Sequence, residues 1–199
     1  MTSGIVLEKE ITVEINVDLE TIKSLLESQN FKVIQEYDMK DIYMVKSDCD
    51  LKKSALDILK DCLLVRHIEV DTRVIDLNTY KYKEYNDKGD ILQQGKAECH
   101  VVSIEEAKKL LNAIGYNELM IIKDHLIIYS NEEIELALQC VNDKHIYIEV
   151  EDKQKNKIFK TIDEMKEELL KYNFPIKGNN FFVKKAEIEL LENLNGERL

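Results

Sequence analysis

Residues 8–17 read EKEITVEINV and alternate with period two. One side carries Ile11, Val13, Ile15 and Val17, and the other carries Glu8, Glu10, Thr12 and Glu14. Residues i and i+2 point to the same side of a strand, so this is a strand with an apolar face and a carboxylate face. The pattern recurs along the chain. Lys81 and Lys83, Glu98 and His100, Lys123 and His125, and Glu149 and Glu151 are ionisable pairs two residues apart, while Arg66 stands alone in a further strand-like stretch. An antiparallel sheet with one wet face is the ordinary origin of such pairs. The stretches 120–128 and 146–148, however, are strongly apolar, as in strands covered on both faces. Charges on a covered face line an internal cavity, where they must be paired or must bind metal and ligand. Acids and bases around one lumen suit a metal-chelated polyphosphate. Carboxylates hold the divalent ion, and Lys and Arg hold the phosphate oxygens.

The strand-like stretches are 5–17, 41–47, 62–70, 73–85, 91–102, 118–130, 133–141 and 145–152. Turn residues separate several of them, at Asn86-Asp87-Lys88-Gly89, Ser130-Asn131 and Asn142-Asp143. Such short connections make neighbours antiparallel. Asp18 caps an amphipathic helix running to about Gln29. A short helix is expected over 50–61. Ser103 with Glu106, and Thr161 with Glu164, form capping boxes ahead of two more helices. Gly115 sits at the end of the first, and Pro175 follows the second. The tail, 181–194, reads as a helix that could begin as a strand. This inventory is an α+β fold, in which eight antiparallel strands close or curl into a barrel. An open sheet with helices on one side is the alternative.

A chain of 199 residues with 44% hydrophobic and 34% charged residues suits one globular domain, 1–199. No apolar run approaches the roughly 18 residues of a membrane span. The N-terminus lacks the basic flank and apolar block of a secretory signal. Cys49, Cys62, Cys99 and Cys140 are scattered, without metal-ligand spacing. Reduced thiols in a cytoplasmic protein are therefore expected. The net charge of -11 argues against nucleic acid as a partner. It leaves room for a local basic pocket, although Arg66, Arg73 and Arg198 are the only arginines.

The order of these motifs over about residues 6–152 resembles the CYTH superfamily. That superfamily includes class IV adenylate cyclases, thiamine triphosphatases and inorganic triphosphatases, and it is similar in fold to the triphosphate tunnel metalloenzymes. The resemblance implies an eight-stranded antiparallel β tunnel, with peripheral helices, that binds triphosphate and a divalent metal inside. The family's opening ExExK strand is here Glu8-Lys9-Glu10-Ile11-Thr12, with both acids and without the lysine. Asp41 and Tyr43 match a Tyr…Asp-x-Tyr segment. An RxR pair keeps Arg66 but has Ile68 as its second member. Lys81 in TYK matches the next lysine strand, and ExE in the fifth strand becomes Glu98-Cys99-His100. KxR becomes Lys123-Asp124-His125, a late Asp becomes Gln139, and the closing ExE is intact at Glu149 and Glu151.

By this resemblance Glu8, Glu10, Glu98, Glu149 and Glu151 would hold Mg²⁺ or Mn²⁺, and Arg66, Lys81 and Lys123 would hold phosphates. Ile68 and His125 remove arginine forks that neither residue replaces at neutral pH. Each such loss typically weakens anion binding by about 2–5 kcal/mol. With Thr12 at the lysine position, His100 or His125 is left as a candidate acid–base residue. The implied activity is a divalent-metal-dependent triphosphatase, or a class IV adenylate cyclase-like lyase, with weakened catalysis. A non-catalytic module for a small phosphorylated ligand or a metal ion is the alternative, and a homodimer stays open.

Overall fold

A computed structural model describes residues 7–86 and 91–196. Eight strands form one antiparallel sheet: β1 (Glu10–Glu14), β2 (Lys32–Lys46), β3 (Leu63–Val70), β4 (Arg73–Tyr85), β5 (Ile91–His100), β6 (Tyr116–Ser130), β7 (Glu135–Val141) and β8 (His145–Glu151). Their order is β1-β8-β7-β6-β2-β3-β4-β5. The two edges meet just before β1. The Glu8 N–H donates to the Gln94 carbonyl at 2.8 Å, and the Gln94 N–H donates back at 2.9 Å. Further along β1, the Val183 N–H reaches the Thr12 carbonyl at 3.1 Å, and the Thr12 N–H reaches the Phe181 carbonyl at 3.0 Å. An edge strand that would otherwise expose unpaired backbone is thereby covered by β5 above and by the C-terminal segment below. The result is the α+β fold expected from the sequence: an eight-stranded antiparallel sheet curled into a tunnel, with helices around it.

Among the described residues, five helices complete the fold: α1 (Leu19–Ser28), α2 (Ala55–Leu59), α3 (Ile104–Ala113), α4 (Ile162–Leu170) and α5 (Lys185–Gly196). Their starts follow the expected caps. Asp18, Ser103 and Thr161 accept hydrogen bonds from the N–H groups of Thr21, Glu106 and Glu164. Each satisfies a backbone donor that the first helical turn leaves orphaned. Gly115, at φ +88, takes the left-handed turn that ends α3.

Ile11, Val13 and Ile15 of β1 face outward with Ile148, Val150, Leu136, Leu138 and Ile127. Ile22 and Leu26 of α1, and Met165 and Leu169 of α4, cover this layer. Ala107 and Leu111 of α3 cover Ile42, Met44 and Val65 on the outside of β2 and β3. A third apolar cluster lies within the curl. It joins Tyr43, Leu64, Ile122, Val141 and Tyr147 to Ile58 of α2, to Val183 just before α5 and to Leu190 within it. The greasy side of β1 is thus the outside of the tunnel, under helices. Its carboxylate side is the inside.

The element boundaries depart from the sequence expectation at several strand ends, with β1 stopping at Glu14 rather than 17, and most plainly in β2 and α2. β2 begins at Lys32 rather than 41, because residues 32–40 are mostly exposed and carry little burial pattern. They are held as strand by pairing with β6, from Lys32 opposite Ser130 to Lys40 opposite Lys123. α2 spans Ala55–Leu59, inside the expected 50–61, because its cap is Ser54. The tail does both things expected of it: Phe182 bridges to Thr12 as a strand would, and the helix starts at Lys185. The turn expected at 86–89 lies, past Asn86, outside the described residues. No helix among the described residues is long and apolar enough to cross a membrane.

Leu138 is completely buried between the sheet and its helical cover. Leu138→Ala should lower unfolding free energy by about 2–5 kcal/mol in urea denaturation, as large-to-small changes in packed cores do.

Candidate functional site in the tunnel

Strand register decides what faces the lumen, because residues paired across strands point the same way. From β1 round to β5 the inward set includes Glu10 and Thr12, then Glu149 and Glu151, then Gln139 and Asp124, then Asp41, Arg66, Lys81, Lys83, Lys96 and Gln94. All of these except Thr12 line a cavity of about 470 Å³. The acids of β1 and β8 stand on one wall, and the cations of β3 and β4 on another. Glu8, next to the closing bridge, is at the rim with Gln94 and Lys96.

Arg66 and Asp41 form a buried bidentate pair, with Nε to Oδ1 and Nη2 to Oδ2 both at 2.7 Å. Burial works to raise the Asp41 carboxyl, but the two bonds and the charge of Arg66 outweigh it and hold it below the usual carboxylate range. Burial and the adjacent Arg66 charge bring the Lys81 ammonium down to about 8. Burial also lowers Lys83, with Glu10 pulling the other way. On the acidic wall, burial and the nearby Glu149 push the Glu10 carboxyl up to about 7. Burial and Glu8 push Glu151 up to about 6. Asp124 is pushed up to about 7, chiefly by burial, and its Oδ1 is buried without a hydrogen-bond partner.

Lys185, the first residue of α5, is the feature that reading strand by strand missed. Its Nζ donates to Glu149 Oε2 at 2.6 Å and also to Gln139 Oε1. Burial acts against its charge, but Glu149 and Asp124 hold its ammonium above the ordinary lysine value. Glu149 in turn lies below the usual range: burial would raise it, and Lys185 overrides. Glu149 is also the cross-strand partner of Thr12. The tail thus places an ammonium on the carboxylate that stands opposite Thr12. No strand periodicity could announce it. The usable signal was the Lys184-Lys185 pair at the head of a helix whose preceding residues read as a strand.

The expected site residues divide as follows. Glu8, Glu10, Glu149, Glu151, Arg66 and Lys81 line the tunnel. Glu98 and His100 share the inward register but lie outside the lining of the cavity. Glu98 accepts from Thr79 Oγ1 at 3.1 Å, and His100 is exposed at the end of β5. Lys123 and His125 face the other way. They pair with Lys40 and Asp38 on the outer surface, where His125 sits 2.8 Å from Asp38 and 3.0 Å from Glu36. In β6 the inward positions are Met120, Ile122, Asp124 and Leu126. The apolar run 118–130 hid this parity, since a strand greasy on both sides does not reveal which set faces in.

The carboxylates of the tunnel offer hard oxygen ligands, which suit a cation of the Mg²⁺ type. Among the described residues, the group of three ligand-bearing side chains whose donor atoms all lie within 4.8 Å of one another is elsewhere: His145, Glu189 and Glu192, at the far end of the tunnel beside α5. That cluster can coordinate a divalent metal.

The eight-stranded antiparallel sheet, curled into a tunnel with helices around it, matches a CYTH-like fold. The solved structures agree. The PH1819 protein from Pyrococcus horikoshii superposes with a TM-score of 0.67 at 17% identity, over 92% of this chain and 99% of that one. HpAC1 from Hippeastrum, an adenylyl cyclase candidate described with a dominant triphosphatase activity, has a TM-score of 0.56 at 13% identity, over 88% of this chain and 93% of that one. An adenylate cyclase candidate from Vibrio parahaemolyticus has a TM-score of 0.53 at 11% identity, over 92% and 97%. No family model matches the sequence, and no curated protein does.

The folded protein keeps the Asp124 proton to about pH 7, whereas the unfolded chain releases it near 4. A carboxyl raised in this way favours the folded state at low pH, and that contribution is lost as pH rises between about 4 and 7. Asp124→Asn removes the loss. Its melting temperature relative to the unsubstituted protein should therefore rise from pH 4 to pH 8, as scanning calorimetry would show.

Proposed function

We propose that the tunnel binds a metal-chelated triphosphate or a comparably compact organic phosphate and acts as a divalent-metal-dependent triphosphatase with weakened catalysis. The observation that carries this reading is the division of one enclosed cavity into an acidic wall, Glu10, Glu149 and Glu151, and a cationic wall, Arg66, Lys81 and Lys83. A phosphate chain lying across the cavity meets Lys and Arg on one side and a carboxylate-held ion on the other. The triphosphatase activity described for HpAC1, whose fold this chain shares, supports the same chemistry.

Glu10, Glu149 and Glu151 would hold Mg²⁺ or Mn²⁺, with Glu8 at the rim. Such ions take one or two protein carboxylates and complete their shell with water and substrate phosphates, so a three-ligand cage is not required. The raised Glu10 and Glu151 carboxyls fit: mutually repelling buried acids are what a cation relieves. The ion would supply charge neutralisation at the phosphoryl oxygens. Lys81 and Lys83 orient the phosphates. Lys185 yields Glu149 or shares it, and so brings its own ammonium next to the bound anion. Lys83 and Lys185 offset the arginine fork missing at Ile68, which shares the inward register of Arg66. The weakened catalysis follows from Thr12, which offers no titratable group beside Glu149.

A binding module without turnover is the second reading. It is favoured by the pairing of two cations within the protein itself, Arg66 with Asp41 and Lys185 with Glu149.

Phosphate release from tripolyphosphate and ATP, with Mg²⁺ or Mn²⁺ and after chelation, tests the proposal. Metal-dependent release is expected. Lys81→Gln should weaken tripolyphosphate binding by about 2 kcal/mol or more, roughly thirtyfold. Thermal stabilisation by tripolyphosphate without release would leave the binding module. Neither release nor stabilisation would end both readings.

Lys185→Ala separates the role of the tail from that of the strands. It should leave the fold intact and lower tripolyphosphate affinity about tenfold or more, as an isothermal titration would read.

A further inference from the structure

Behind the apolar plug of the tunnel, β8 and α5 bring together three side chains that the tunnel chemistry does not use. His145 opens β8, while Glu189 and Glu192 lie one turn apart on α5. Each offers a ligand atom, and the three atoms lie within 4.8 Å of one another. The His145 Nε2 is 3.3 Å from Glu192 Oε1. On its other side, Nδ1 is 3.4 Å from Glu14 Oε1, and Glu14 is itself held by Lys177 Nζ at 2.8 Å. A proton on Nδ1 donated to Glu14 leaves the Nε2 lone pair facing the two glutamates. A carboxylate behind the imidazole is the arrangement that orients metal-bound histidines.

A second observation is independent of this clustering. Glu189 is 3% exposed. Its Oε2 accepts from Asn142 Nδ2 at 2.5 Å, but its Oε1 is buried without a hydrogen-bond partner. The hydroxyl of Tyr147 is also buried and unpartnered; its ring stacks on His145 with centroids 6.0 Å apart. A buried carboxylate oxygen left unmatched destabilises the folded chain until a ligand satisfies it. Burial raises the Tyr147 hydroxyl and the charges of Glu14, Glu189 and Glu192 add to it, which places three carboxylates around the ring. Lys144 offsets part of that charge from the solvent side of Glu192.

We propose that His145, Glu189 and Glu192 form a binding site for a divalent transition-metal ion of the Zn²⁺ type, separate from the tunnel, that pins α5 to β8. The imidazole nitrogen is a ligand that such ions take and Mg²⁺ does not favour, while the two carboxylates serve either, so the histidine sets the preference. Glu14 is the positioning carboxylate behind the histidine, and water completes the shell. The ion spans a strand and a helix distant in sequence. By holding α5, it fixes the helix whose first residue, Lys185, reaches into the tunnel.

The test uses the full chain stripped with chelator and titrated with Zn²⁺ in a calorimeter, with Co²⁺ as an optical probe. One ion per chain is expected at this site, with a rise in melting temperature and a Zn²⁺-induced shift of the His145 imidazole resonances. Glu192→Gln changes an exposed position and should melt like the parent protein in chelator, yet bind Zn²⁺ at least tenfold more weakly. His145→Gln should do the same. Glu10→Gln, which removes a tunnel carboxylate, should keep this site. Zn²⁺ affinity unchanged within twofold in Glu192→Gln would overturn the proposal. So would a His145 resonance indifferent to Zn²⁺ in the unsubstituted chain, a measurement that needs no variant to fold.

Discussion

A sheet that curls with its charged side inward must satisfy those charges with little help from bulk water, and most of this structure follows from that requirement. Ionised groups removed from solvent persist only when paired, and the alternative is a shifted pKa. Both outcomes occur around the lumen. Arg66 and Asp41 lock together through two hydrogen bonds. Lys185 meets Glu149. Glu10 and Asp124 have no such dedicated cation, and burial drives their carboxyls up to about 7. Lys81, crowded by Arg66, moves down to about 8. The unreconciled groups are those with most to gain from a ligand that carries both metal charge and phosphate charge.

The same requirement explains where the helices sit. With one end of the lumen given to polar groups, most of the apolar sides of the strands face out, and water must be kept from them there. α1, α3 and α4 do this with amphipathic faces. α2 and α5 have a different task. They pack on the apolar end of the curl around Tyr43, Ile122 and Tyr147 and close it. α5 also carries a cation inward at Lys185 and acids at Glu189 and Glu192. It therefore links the base of the tunnel to the acidic cluster at His145.

Much of the site could be read from alternation alone. Glu8, Glu10, Arg66, Lys81, Glu149 and Glu151 fall on faces that the pattern marks as polar, and all line the cavity. Lys123 and His125 obeyed the same period-two rule and fall outside. β6 is apolar on both faces, so its polar pair could belong to either, and pairing with β2 put Asp124 inside instead. Glu98 and His100 have the right parity but lie beyond the cavity's lining, a matter of depth along the strand that alternation does not encode. Lys185 was invisible for another reason: it reaches the lumen from a helix terminus and belongs to no strand pattern.

The amino-acid sequence by itself determined the local structure. It set the caps at Asp18, Ser103 and Thr161, the turn at Gly115, the extent of β4, and the two-sidedness of β1. These depend on neighbours within a few residues, where propensity and periodicity act directly. Which side of each strand became the inside, where β2 begins, and which cation answers Glu149 were decided only by the tertiary structure. They depend on strand register and on the closing contact between Glu8 and Gln94, which join residues far apart in the chain through backbone hydrogen bonds that every residue type can make.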